Sequence, residues 1–208
     1  IGVRLHDLRN ELGIFAIPFG AYGRNEDGAH VTVSSWRGVD DNVIPARGKI
    51  SGAYANSALM KTDAIRAGFD EALVLDHNGH ISEGTAMNVF LVRDGVLLTP
   101  PVSDNILEGI TRRTIIELAK NEMGLTVLER SIDRSEALIC EELFMTGTAA
   151  QVMVVTKLDH RPVGDGKMGP ITAKLREVFN DVAHGKYPKY AGWNVPVVYG
   201  GRGRDILT

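Results

Sequence analysis

The pairs Asn78-Gly79 and Asp94-Gly95 limit the fold of this chain more than any other feature. Each supplies two residues that tolerate positive φ, as a two-residue hairpin turn demands. They separate three apolar runs, 71–76, 87–93 and 96–99. The expectation is an antiparallel meander of three strands joined by two tight turns, with 81–86 crossing its middle without a clean pattern.

The other elements follow from periodicity and punctuation. An apolar strand is expected over 11–19, ending near Pro18, followed by an exposed glycine-rich loop or linker at 20–28. Strands are expected at 31–36, 125–129, 142–146 and 151–155. Ser51 or Gly52 opens a helix whose face is Tyr54, Ala55, Ala58, Leu59, Ala64 and Ile65, closed near Gly68. A second helix starts at Gly109-Ile110, is carried by Ile115, Ile116, Leu118 and Ala119, and ends at Gly124. Asp133 caps a short helix through Leu138. Pro170 opens the last helix, with Ile171, Leu175, Val178, Phe179 and Val182 on one face. The tail from about residue 185 is expected to be loosely ordered, with Trp193 able to dock. This order of elements is α+β: a barrel-like, mostly antiparallel sheet with helices packed outside.

A chain of 208 residues, 44% hydrophobic and 24% charged, can bury a sizeable core. Its net charge of −3 gives no reason to expect nucleic acid or an anionic membrane as partner. No stretch has the length of a membrane span. The single Cys140 lies in an apolar-flanked run and reads as a buried, inert thiol. A lone cysteine fits a cytoplasmic location. The histidines are scattered, with no i, i+4 pair and no cysteine partner, so no metal is expected.

Four small features carry possible chemistry. Lys49 sits in a glycine-flanked turn with Tyr54 five residues on. Glu83 lies in a segment expected to be half-buried, where a lone carboxylate needs a partner. Gly109-Ile110-Thr111 opens a helix whose free N–H groups favour an anion. Gly147-Thr148-Ala149 is a small-residue turn with a hydroxyl. Singly, each is an ordinary surface or turn feature. Together they fit pyridoxal 5'-phosphate, which needs a lysine amine, an acid for its ring nitrogen and an anion cup.

With these residues the chain resembles the class IV (fold type IV) pyridoxal-phosphate aminotransferases, most closely the branched-chain amino acid aminotransferases. The resemblance runs from about Phe19 to Val182. It is carried by Phe19-Gly20-Ala21-Tyr22, Lys49 with Tyr54, Ile81-Ser82-Glu83-Gly84 with Asn88-Val89-Phe90, Leu107-Glu108-Gly109-Ile110-Thr111-Arg112, and Gly147-Thr148-Ala149-Ala150. It implies that Lys49 binds the cofactor covalently and moves the proton at the substrate α-carbon. Glu83 pairs with the ring nitrogen and Tyr54 bonds the ring oxygen. Leu107, Gly109, Ile110, Thr111 and Thr148 complete the cofactor site, and Tyr22, Thr148, Ala149 and Ala150 line the substrate side. It also implies amino acid and 2-oxo acid substrates and a homodimer or higher homo-oligomer.

By the same resemblance, residues 1–22 are a remnant of a small N-terminal domain, 23–30 a linker, and 31–208 the large domain. Most of the small domain, including an arginine for the phosphate, is absent from the sequence. Met87 stands where many branched-chain enzymes have glutamate, which makes the pocket less polar. The implied reaction is transamination of branched-chain L-amino acids with 2-oxoglutarate. A D-amino acid or (R)-amine transaminase and an aminodeoxychorismate lyase are alternatives on the same fold, and a non-catalytic large-domain fragment is an alternative of another kind.

Overall fold

The computed structural model describes residues 3, 5–18 and 28–195. The expected loop over 20–28, apart from Gly28, and the tail from 196 lie outside them.

One mixed sheet organises these residues. Its strands are β1 (Ala29–Arg37), β2 (Glu71–Leu75), β3 (Ile81–Gly84), β4 (Asn88–Arg93), β5 (Val96–Thr99), β6 (Val127–Glu129), β7 (Glu142–Gly147), β8 (Gln151–Leu158) and β9 (Arg161–Pro162). They are ordered β3-β2-β1-β8-β7-β4-β5-β6, with β9 beside β8. Five of the eight pairings are antiparallel, and β1 runs parallel to both β2 and β8. The sheet curls into a half-barrel with helices outside, as expected for the α+β class.

Both hairpin turns form, but the meander does not. Asn78-Gly79 joins β2 to β3, and Asp94-Gly95 joins β4 to β5. Residues 81–84, with no clean pattern, are themselves a strand, and β4 pairs with β7 rather than with β2. The reason is burial on both faces. Ala72, Leu73, Val89, Phe90 and Leu91 are all enclosed, so local alternation does not specify a neighbour. The Gly84 N–H donates to Met87 O at 2.6 Å, so the two hairpins meet across a sharp corner.

Three helices cover the sheet: α1 (Tyr54–Arg66), α2 (Ile110–Met123) and α3 (Pro170–Ala183). The face of α1 differs from expectation. It buries Met60 and Ala64, while Leu59 and Ile65 stay exposed. Helix α2 ends at Gly124, whose φ of 61° suits glycine. Helix α3 starts at Pro170 and buries Leu175, Val178 and Val182 as its pattern requires. The cap of α3 comes from β7: Glu142 accepts from the Ile171 and Thr172 N–H groups at 3.0 and 2.6 Å. The Asp133 cap forms as expected, as a capping box with Glu136.

Two core clusters lie on opposite faces of the sheet. One joins Val31, Leu73, Ile81, Leu91 and Met145; the other packs Phe90, Phe144, Ile115 and Leu175. Cys140 is buried, and burial pushes its thiol up to about 12, as an inert thiol requires.

Two expectations fail at the ends. Residues 5–18 form no strand and every one is exposed, because no neighbouring strand takes their backbone groups. Of the tail expected to be loose, the described part, up to 195, is docked: Tyr190 is buried, residues 188–193 form a 3-10 turn against α2, and Trp193 packs on Tyr190 as the sequence allowed. No helix among the described residues is long and apolar enough to cross a membrane.

Candidate active site

The sharp corner between β3 and β4, the turn before α1 and the start of α2 enclose a cleft of about 300 Å³. Lys49, Tyr54, Glu83, Leu107, Gly109, Ile110, Thr111 and Thr148 all line it. These are eight of the eleven residues singled out in the sequence. Ala149 and Ala150 continue the β7–β8 turn but are not lining residues, and Ala150 instead packs on the core. Tyr22 lies outside the described residues.

Lys49 stands just ahead of the 3-10 turn Ser51–Ala53 that leads into α1. Its turn is fixed from both sides. The Ala46 N–H donates to Asp41 Oδ1 at 2.8 Å, and Arg47 Nε donates to Glu108 Oε1 at 2.8 Å. The second bond ties the lysine turn to the approach of α2. Tyr54 opens α1, and its phenol is pushed up by burial and by the nearby Glu83 charge.

Glu83 is partly buried on β3, and the Leu107 N–H donates to its Oε2 at 3.2 Å. No basic side chain among the described residues pairs with it. Burial pushes its carboxyl up to about 7, opposed only by the Leu107 N–H. Glu71 shows the contrast. It is fully enclosed, and Lys61, Thr85 and the Ala72 N–H all bond its carboxylate. Glu83 therefore has room and electrostatic demand for a cationic partner from outside the chain.

At the other end of the cleft, α2 begins without a side-chain cap. The first N–H groups of a helix have no intrahelical acceptor, and here the residues at that end, Gly109, Ile110 and Thr111, line the cleft. Gly109 must be glycine, since a Cβ there would run into the Asn88 side chain. Asn88 holds the approach to α2, donating from Nδ2 to Leu107 O at 2.8 Å. Arg112 braces the same helix from inside, bonding Pro100 O at 2.8 Å and Glu129 Oε2 at 2.7 Å.

One further lining residue carries no special signal in the sequence. Thr146 has a buried hydroxyl with no hydrogen-bond partner among the described residues. Only its position just before the Gly147 turn could have drawn attention to it. Met87 is buried and gives the cleft an apolar wall.

The cleft thus offers an amine, a cation-seeking carboxylate, a phenol and an uncapped helix start with hydroxyl neighbours. Such a set can grip a flat group bearing a basic nitrogen at one end and an anion at the other.

Comparison with known proteins agrees with this geometry. The amino-transferase class IV family model matches residues 8–158, and the chain belongs to that family. A probable branched-chain-amino-acid aminotransferase of Aquifex aeolicus is 44% identical over 93% of this chain and 62% of that protein. The branched-chain aminotransferase of Thermoproteus uzoniensis, solved with norvaline, superposes with a TM-score of 0.81 at 41% identity, covering 85% of this chain and 58% of that one. The PLP-form of the Thermobaculum terrenum enzyme gives 0.80 at 39% identity, covering 83% and 57%. The chain spans about 62% of the length of the first of these relatives.

Proposed function

We propose that this chain performs pyridoxal 5'-phosphate-dependent transamination of branched-chain L-amino acids with 2-oxoglutarate. Glu83 carries the reading: a carboxyl pushed up to about 7, with no basic side chain paired to it among the described residues. A ring nitrogen that becomes protonated would satisfy it. The uncapped start of α2 offers the complementary site for a phosphate dianion.

When bound, the cofactor supplies an aldehyde and a ring that delocalises the electron pair left at the substrate α-carbon. Lys49 would hold the cofactor through its amine and would move the proton at the substrate α-carbon. Glu83 keeps the ring nitrogen protonated. Tyr54 donates its phenol O–H to the ring oxygen. The Ile110 and Thr111 N–H groups and the Thr148 hydroxyl hold the phosphate, while Leu107 and Gly109 shape the approach. Tyr22 and the Thr148–Ala150 turn serve the substrate side.

Met87, where many branched-chain enzymes carry glutamate, departs from their pattern and makes the cleft less polar. A homodimer is part of the proposal, supported by the apolar Leu59 and Ile65 left exposed on α1, and sedimentation at several concentrations tests it. A cytoplasmic location is supported by the lone buried Cys140.

The purified chain with added cofactor is expected to show visible absorbance that Lys49→Ala abolishes. A coupled assay should then favour leucine over D-alanine and over an (R)-amine. Turnover of D-alanine alone would sink the substrate assignment, and a colourless wild-type chain would leave a non-catalytic fold.

A further inference from the structure

Outside the cleft, three ligand-bearing side chains converge behind its wall. Asp76 follows β2, His80 precedes β3, and Asp104 lies in the loop that leads to α2. One ligand atom from each lies within 4.8 Å of the other two. Asp76 is 2% exposed and Asp104 8%, while His80 is half-buried.

Among the described residues, no lysine or arginine pairs with either carboxylate. Asp76 Oδ1 accepts the His80 N–H at 2.8 Å, and Arg37 bonds the Asp76 backbone carbonyl rather than the carboxylate. Among the described residues, Asp104 Oδ2 is buried with no hydrogen-bond partner, and the other oxygen has only a 3.5 Å contact from the Ser103 hydroxyl. A buried carboxylate oxygen without a donor is costly, and here it belongs to the group that faces Asp76 and His80. The imidazole is already oriented. Its Nδ1 lies 3.8 Å from Asp76 Oδ2, and its Nε2 faces Asp133 Oδ1 at 3.6 Å. With Nδ1 as ligand, Nε2–H would donate towards Asp133, the outer carboxylate that commonly fixes a metal-bound histidine.

We propose that Asp76, His80 and Asp104 bind one divalent transition-metal ion, with water completing its coordination. Two carboxylates with an imidazole suit zinc or manganese better than calcium or magnesium. Ligand bonds of about 2.0–2.2 Å need the three atoms slightly closer than they stand, a change that side-chain rotation of His80 and Asp104 supplies. The ion would join the β2–β3 hairpin to the loop before α2. The Ser82 hydroxyl already donates to Asp104 O at 2.7 Å across that junction. Glu83 follows Ser82, and Leu107, which donates to it in the cleft, lies three residues beyond Asp104. The ion would therefore stiffen the wall that presents the Glu83 carboxylate. Sequence spacing does not show the site, because Asp104 lies 24 residues beyond His80 and only the fold brings it close.

The test needs no cofactor and no activity. The full chain is stripped with chelator, then titrated with Zn²⁺ or Mn²⁺ at pH 7.5 by calorimetry, with thermal unfolding in parallel. One ion per chain and a raised midpoint are expected. Asp104→Asn, which keeps side-chain size, and His80→Ala should each weaken binding at least about tenfold. His160→Ala, which removes an exposed imidazole elsewhere, should bind like wild type. Circular dichroism checks folding, and His80→Ala decides alone if Asp104→Asn does not fold. Failure of the wild-type chain to bind either ion, or wild-type affinity in a folded Asp104→Asn or His80→Ala chain, overturns the site.

Discussion

Glu83 on β3 and Glu71 on β2 have opposite surroundings, and the difference is measurable. The Glu83 carboxyl titrates near 7 instead of its ordinary 4.5 because burial disfavours its charged form. Between these values the folded chain holds a proton that the unfolded chain has lost. Stability of the cofactor-free protein should therefore fall as pH rises from about 4.5 to about 7 and level off above. The gap corresponds to roughly 3 kcal/mol at most, reduced because Glu83 is only partly buried. Glu83→Gln removes the titration. Denaturant unfolding should find the variant more stable than wild type by about 1–3 kcal/mol at pH 8 and about equal at pH 4.5. Parallel stability curves for the two chains would show that Glu83 is not desolvated. A cofactor with a protonated ring nitrogen should abolish the wild-type slope, since it gives the carboxylate its missing cation.

The elements around the cleft depend on close approach at α2. A Cβ at Gly109 would meet the Asn88 side chain, which is itself buried and bonded to Leu107 O. Gly109→Ala should therefore displace Asn88 and shift the start of α2. The expected cost is about 1–3 kcal/mol of stability, read by thermal unfolding, with weaker retention of the cofactor on dialysis. Normal retention would mean that the helix start does not hold the phosphate. This contact also shows what the sequence can and cannot disclose. The hairpin turns at Asn78-Gly79 and Asp94-Gly95 are legible because turn chemistry is local. The lysine turn, Glu83 and the two glycine turns are legible as a set, since they recur in the order of a known family. The neighbour of β4 is not legible, because a strand enclosed on both faces carries no alternation that would choose between β2 and β7. The Glu142 cap on α3 is also hidden, since 27 residues separate it from Gly169 and the cap position itself is an uninformative glycine. Nor does the helical pattern of α1 show that Met60, rather than Leu59, faces inward. With Leu59 beside Met60, a small rotation of the helix exchanges one for the other.

At the scale of the whole molecule, the C-terminal segment and the cleft lie at opposite ends of α2. Glu122, in the last turn of α2, takes hydrogen bonds from Tyr187, Tyr190 and Lys189, each at 2.6 Å. These donors hold its carboxyl down to about 2, so the anchor stays charged through the neutral and mildly acidic range. Tyr190 then packs with Leu118, Val178 and Val182, closing the seam between α2 and α3, while its ring meets Trp193 at 4.4 Å. A tail rich in glycine, proline and lysine has no periodicity that announces this docking; one carboxylate on another element organises it. Glu122→Ala should release the segment, leaving two tyrosine hydroxyls and an ammonium without their shared acceptor. Trypsin is expected to cut at Lys186 and Lys189 about tenfold faster than in wild type, with the sheet intact by circular dichroism. Because Arg112 and Asn88 brace the other end of α2 independently of the tail, the cofactor-dependent absorbance should survive the substitution. Loss of that absorbance would mean that tail docking and the helix start act as one unit. Unchanged cleavage would mean that Tyr190 packing alone holds the tail in place.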